Sequence, residues 1–477
     1  MLLRILYPLR LHRRSSRWKM LPLTGMIFCI LFNYTLIYSL RDSLIFPILG
    51  AEIYSFLEFW VVLPSAFIVT VLYIKLSSVI QNKERIFYIF MFSFLAFYLF
   101  FAFYLYPNHD LITPDKTKVA EWMQAFPHAK WFILIVCEWP YTLFNVFIEL
   151  WINVVLSLLF WQLANQVTTT TEAKALYPIV LVAGQSALIF AGTLLKYYAN
   201  NSLLEDLVPK VVLTVVALGL IITYLHHYIY AHLRRQARDN PKLKPDPAAT
   251  LSFRASLRML LRSRYLWMMA MVVISYGLTI NISQAVWKSQ AARYFTTTLD
   301  YITYMGTYKQ MVGITSMVTM VIGGIMLRYL RWFICALTPA ILIGLSGLLF
   351  FTWVTFMEPL QPYFNNILYA TIMVGMAEVT LSKSLKYSIF DATKEMAYIP
   401  LSRDLKSKGK SAVDVFGERF GKASGAFIQT AMFSIFPAAT YCDLSPYLMV
   451  IFIAGITAWI YALRKLNTEY IEITKLQ

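Results

Sequence analysis

Four ionisable residues stand in stretches otherwise too apolar for them: Arg41 in "FNYTLIYSLRDS", Glu149 in "IELWINVVLSLLF", Lys288 in "INISQAVWKSQ" and Glu378 in "MAEVTLSKSLKYSIF". A charge in apolar surroundings is costly and is usually kept where it faces a cavity or an opposite charge. Arg offers phosphate oxygens a planar fork and Lys a mobile point charge, so Arg41 with Lys288 suits a phosphate-bearing ligand. Tyr34, Trp151, Trp287 and Tyr308 lie nearby in sequence and present faces on which a base can stack. The competing reading of Arg41 and Lys288 is snorkelling from helix ends to an interface. Short carboxylates snorkel poorly, so Glu149 and Glu378 point more firmly to function or pairing. Glu138 is a weaker case of the same kind, and Asp42 is placed to neutralise Arg41.

The elements that hold these residues are long and oily. Of 477 residues, 59% are hydrophobic and 14% charged, against about a quarter charged in soluble domains. Runs such as "LPLTGMIFCILFNYTLIYSL" are long enough to cross a bilayer as helices. The chain therefore reads as an all-α polytopic membrane protein. Twelve spans are expected at 21–46, 53–78, 86–106, 131–165, 174–198, 207–232, 265–290, 304–327, 331–355, 360–388, 415–437 and 445–465. The fourth exceeds what a bilayer needs and is either a projecting helix or one bent near Pro140. The net charge of +17 is accounted for mainly by basic loops on one side rather than by nucleic-acid binding. The first twenty residues and the stretch "RRQARDNPKLKPDPAAT" are basic, whereas "ANNSLLEDL" and "TFMEPLQPY" lack Lys and Arg. Both termini are accordingly expected to be cytoplasmic.

This divides the chain into a basic tail (1–20), a six-helix lobe (21–232), a cytoplasmic linker (233–264), a second six-helix lobe (265–465) and a tail (466–477). The lobes read as faint repeats. Asn33 and Arg41 in the first span answer to Asn281 and Lys288 in the seventh, and Glu149 in the fourth to Glu378 in the tenth. Two parallel six-helix repeats imply a substrate site at their interface near mid-membrane.

Other chemistries find no footing. Cys29, Cys137, Cys335 and Cys442 form no paired motif, and no H-E-x-x-H occurs, so neither a metal nor any other cofactor is expected. "GERFGKAS" fails as a phosphate loop: three residues, not four, separate its glycines, and Ala423 follows Lys422. Its small residues suit close helix packing, while Lys422 remains a candidate for the cavity.

The polar stretch "KYSIFDATKEMAYIPLSRDLKSKGKSAVDVFGERFGKASGAF" closely resembles the hallmark segment of the ATP:ADP translocases of obligate intracellular bacteria and plastids. "FLEFWVVLPSAFIVTVLYIKLS", "FWQLANQVTTTTEAKALYP" and "YGLTINISQAVWK" support the resemblance in family order. It implies a two-lobed, twelve-helix, major-facilitator-like nucleotide transporter, not an enzyme, carrying ATP, ADP, another nucleoside triphosphate or NAD. The expected setting is a bacterial inner membrane, with lipid around a monomer. The substrate-binding candidates are Arg41, Lys288, Asn281, Glu149, Trp151, Tyr308 and Lys422. Glu149, Glu378, Gln284, Asp391, Lys394 and Glu395 are candidates for coupling or gating, with Asp404 as a further ion-pair partner. The stretch itself is expected to connect spans ten and eleven and to close the cytoplasmic mouth.

Two departures fall in this set. Gln284 stands where the family has an acidic residue before the Trp-Lys, and "RDSLIFPILGAE" is abbreviated. Because the exchange site has diverged, the expectation leans to proton-coupled import, and since Gln284 cannot titrate, Glu149 and Glu378 are the candidates to carry the proton. Strict ATP/ADP exchange and transport of another organic anion are the alternatives.

Overall fold

A computed structural model describes residues 17–80, 82–239, 262–401, 409, 413 and 417–475. Asp404, most of the linker and nearly all of the basic tail lie outside the described residues. Ten helices are long and apolar enough to cross a membrane, and Met357–Tyr363 with Ile367–Ala397 make a pair bent by 115°. We number the spans α1 (Arg17–Leu49), α2 (Ile53–Val79), α3 (Lys83–Leu105), α4 (Trp139–Val167), α5 (Thr170–Asn200) and α6 (Leu204–Asp239). The second half holds α7 (Arg264–Tyr294), α8 (Thr298–Tyr329), α9 (Trp332–Thr355), α10 (Ile367–Ala397), α11 (Glu418–Ile435) and α12 (Tyr441–Lys475). Glu418, Arg419 and Lys422 make α11 more polar than the others, yet it packs in the bundle along α7.

Packing repeats between the halves. The α1 helix lies against α5 and α6 as α7 lies against α11 and α12, and α3 meets α6 as α9 meets α12. The halves join through α5 with α8 and through α2 with α11, two seams exchanged by the same six-helix offset. At the first seam backbones nearly touch: a Cβ on Gly306 would sit 2.8 Å from the Gly192 carbonyl oxygen. Beside it Gln310 donates to Thr193 at 2.8 Å. The second seam pairs the rings of Phe59 and Phe427, 5.0 Å apart, and His128 with the Ser434 carbonyl at 2.7 Å. These contacts sit in the half remote from Arg17; we call that end the far face and the other the basic face. Toward the basic face α2 is largely uncovered. Among the described residues, these seam contacts between the lobes gather at the far face.

Three expected boundaries shift. The fourth span is broken: Lys130–Cys137 ends at Glu138, and α4 restarts with Pro140 in its first turn, where a missing N–H costs nothing. The tenth span runs nine residues further, to Ala397, so Tyr387–Ala397 belongs to a helix, as does 418–427 in α11. The connection expected over the whole hallmark stretch is therefore shorter. At the C-terminus α12 continues to Lys475, so residues 466–475 extend the last span as helix. Small residues do allow close packing where expected, since a Cβ on Gly421 would lie 2.8 Å from the Ile274 carbonyl of α7.

Candidate functional site

Arg41 sits on α1 and is 1% exposed, so it does not snorkel. Its Nη1 donates to Asn145 Oδ1 at 2.6 Å and Glu149 Oε1 at 2.8 Å, both on α4. Its Nε and Nη2 donate to Asp42 Oδ1 at 2.9 and 2.7 Å. The other oxygen of Asp42 meets Lys288 Nζ at 2.9 Å. Asp42 is therefore a bridge between cations of the two lobes. An ion pair so deeply buried is sustained only when its remaining donors are satisfied, and here Asn145 and Glu149 take those of Arg41.

Tyr38, one turn before Arg41, is the hub of the interface. Its hydroxyl accepts from Lys288 Nζ and Gln284 Nε2, each at 2.9 Å. Its ring lies 4.2 Å from the Arg41 guanidinium, 4.7 Å from Lys288 Nζ and 4.3 Å from Lys309 Nζ. Lys383 Nζ on α10 is 5.9 Å from the same ring and 5.5 Å from that of Tyr308. Cations gathered on ring faces gain from the quadrupole when water is excluded. Glu58, on α2, is half-buried and within electrostatic reach of Glu149 and Lys422. Lys422 is exposed yet close enough to act on Lys383, which places it in the open space between the lobes.

The other candidates divide by position. Tyr308 is fully buried with its ring 4.5 Å from Trp287, and among the described residues no group bonds its hydroxyl. Asn281 accepts from Gln429 at 2.8 Å, which in turn accepts from Tyr441, tying α7, α11 and α12. Glu378 is buried on α10; it accepts from Ser382 at 2.9 Å, and its second oxygen faces Ser283 of α7 without a well-formed hydrogen bond. Trp151 is not at the interface. Its indole N–H reaches the Ile30 carbonyl at 3.3 Å and its ring packs on Phe94 and Tyr98 in the core of the first lobe.

Asp391 and Lys394 lie at the basic-face end of α10 with Lys386. Lys386 and Lys394 approach Glu418 of α11 at 3.5 and 3.8 Å, so these ion pairs staple two helices of one lobe. Glu395 is exposed beside them. Glu138 pairs instead with His109 at 2.7 Å, outside the spans, and that hydrogen bond raises the imidazole pKa. Among the described residues no group of three His, Cys, Asp or Glu is placed to hold a metal ion.

Tyr38, Lys309, Lys383 and Glu58 are the members that sequence reasoning passed over. Together the groups make a basic, tyrosine-lined site between two lobes. Such a site can hold a polyanion and pass it from one face to the other when the seams exchange.

Residues 2–470 match the family described as TLC ATP/ADP transporter. The ADP,ATP carrier protein 3 of Rickettsia bellii is 40% identical over 95% of each chain. The ADP,ATP carrier protein 1 of the same organism is 37% identical over 98% of this chain and 95% of its own. Among solved structures, a bacterial homologue of the iron transporter ferroportin in an inward-facing state superposes with a TM-score of 0.59 at 12% identity, covering 95% of this chain and 98% of its own. A D-xylose–proton symporter gives 0.55 at 10% identity over 94% and 96%. These likenesses show a two-lobed transporter fold.

Proposed function

The chain belongs to the TLC ATP/ADP transporter family, and from that premise we propose that it exchanges adenine nucleotides across a bacterial inner membrane by alternating access. The observation that carries the reading is the Asp42 bridge from Arg41 to Lys288, ringed by Lys309 and Lys383 on Tyr38. A carboxylate held between cations of opposite lobes occupies the place that a phosphate oxygen takes when substrate enters. Displacing Asp42 would let the nucleotide replace one interlobe link with its own. The relatives carrying the ADP,ATP carrier name make exchange the first choice over proton-driven import.

A free nucleoside triphosphate brings about four negative charges, and moving each inward costs roughly 2.3 kcal/mol per 100 mV of negative-inside potential. Counter-movement of another nucleotide offsets most of that. The test is uptake of labelled ATP into proteoliposomes that are empty or loaded with ADP, with other nucleoside triphosphates and NAD as competitors. Saturable uptake that needs internal ADP is expected; no saturable uptake of any nucleotide would end the reading. Glu378 favours a second reading, because its buried carboxylate accepts from Ser382, faces Ser283 and, among the described residues, stands in no ion pair that taking a proton would break. If an inward proton gradient drives uptake into empty vesicles, and Glu378→Gln abolishes that response, coupling runs through this residue. The cytoplasmic placement of both termini, and a monomer, accompany the proposal.

A further inference from the structure

Four cations meet at Tyr38, but they are not equally committed. Arg41 is bonded to two carboxylates and an amide, and Lys288 to Asp42 and the Tyr38 hydroxyl. Lys309 on α8 and Lys383 on α10 enter no ion pair and donate no hydrogen bond among the described residues. Lys309 is only 6% exposed. Both ammonium groups instead rest on the same two rings: Lys309 at 4.3 Å from Tyr38 and 5.7 Å from Tyr308, Lys383 at 5.9 and 5.5 Å. A ring face compensates a buried ammonium less well than a carboxylate does. Two such groups side by side also repel each other, and Lys288 and Lys422 add to that repulsion at Lys383.

The site is polarised as well. Glu58 and Glu149 belong to the first lobe, while Lys288, Lys309, Lys383 and Lys422 belong to the second. An anion entering between the lobes is drawn to the second lobe. We propose that Lys309 and Lys383 are specificity-determining residues that read the number of phosphates, setting the preference for nucleoside tri- and diphosphates over monophosphates. The inference rests on the nucleotide-transport reading above and goes beyond it by saying which phosphates the site counts and with which side chains. The two committed cations, Arg41 and Lys288, take one phosphate when Asp42 yields. Each additional phosphate adds about one negative charge and finds an ammonium that has no other partner. AMP leaves both lysines uncompensated, and ATP satisfies both.

The experiment uses the full chain in proteoliposomes, with unlabelled ATP, ADP and AMP competing against labelled ATP. In Lys309→Gln and Lys383→Gln the half-inhibitory concentration of ATP should rise by about tenfold or more, the loss expected for one charged hydrogen bond. That of AMP should change by less than about threefold, and Lys309→Arg should restore the wild-type order. ATP-induced thermal stabilisation in detergent gives the same ranking for variants too slow to transport. Equal losses for all three nucleotides, or an unchanged ATP-to-AMP ratio, would overturn the proposal while wild-type uptake left the transport reading standing. Absence of nucleotide binding to the wild type would overturn both.

Discussion

Tyr38 shows how one side chain can carry an interface. Its hydroxyl holds Lys288 and Gln284 of the second lobe, and its ring lies beside Arg41 of its own. Tyr38→Phe keeps the ring and removes the acceptor, leaving the Gln284 amide short of a buried partner at about 1–3 kcal/mol, while Lys288 keeps Asp42. Asp42→Asn cuts deeper, because it breaks a buried ion-paired bridge, a loss of about 3–5 kcal/mol. Its thermal midpoint should fall below that of Tyr38→Phe, and ATP should recover part of the loss by supplying the missing negative charge; an unchanged midpoint would remove Asp42 from the bridge. The sequence reveals Arg41, Lys288 and Glu149 because a charge in an apolar run is conspicuous and because the two halves place such charges in step. Lys309, Lys383 and Glu58 give the same signal, but Glu58 and Lys309, which share a place in the second and eighth spans, are of opposite sign, and Lys383 has no counterpart in the fourth, so a search for like charges in step passes over them. Trp151 misleads for a geometric reason. It lies two residues from Glu149, about 200° around the helix, and so points into the lobe core when Glu149 points out of it.

Helix ends were harder to read than helix existence. Hydropathy ends the tenth span near 388 because "DATKEMA" is polar, yet α10 continues as Lys386 and Lys394 pair with Glu418 of α11. At the other end of α4 the local rules act as expected: Thr169 and Glu172 form a capping box that starts α5. Glu172 also meets Lys19 at 2.7 Å, joining the start of α1 to the α4–α5 turn. Burial opposes its charge most strongly of any one influence, but the hydrogen bonds from Lys19 and Thr169 and the Lys19 charge together outweigh it, and the carboxyl pKa falls to about 2. A depressed pKa contributes stability above the unfolded value near 4.5, and that stability is lost as pH falls from there toward 2. After solvent screening the tie is worth about 1 kcal/mol. The stability gap between wild type and Glu172→Gln should be constant near neutrality and close below pH 4.5; a gap that widens in acid would contradict the pairing. The α5–α8 seam has a steric test. A Cβ at Gly306 meets the Gly192 carbonyl at 2.8 Å, and backbone cannot step aside cheaply. Gly306→Ala should therefore disfavour far-face closure, seen as slower transport and faster labelling of a Thr193→Cys variant by an impermeant maleimide from the far side.

At the scale of the whole chain, six-plus-six packing was legible because charge asymmetry and repeated apolar blocks report topology directly. Which face is open was not, since both states of a rocking pair use the same helices and differ only in which seams touch. The structure holds the far face shut through Phe59 on Phe427 and His128 on Ser434, with α2 uncovered toward the basic face. If alternating access exchanges these seams, Phe59 and Phe427 must separate once in every cycle. A Phe59→Cys/Phe427→Cys pair bridged by a short reagent should fix the lobes in the state seen here. Of the native cysteines, Cys29, Cys137 and Cys335 are buried, and Cys442→Ser removes the half-buried one from competition. Bridged protein should stop transporting, yet still be stabilised by ATP, because the Arg41–Lys288 site remains open to the basic face. Cleaving the bridge should restore transport. Full exchange in the bridged protein would mean that nucleotide passes without the far seam opening, and the rocking of two lobes about Tyr38 would then be the wrong picture of the cycle.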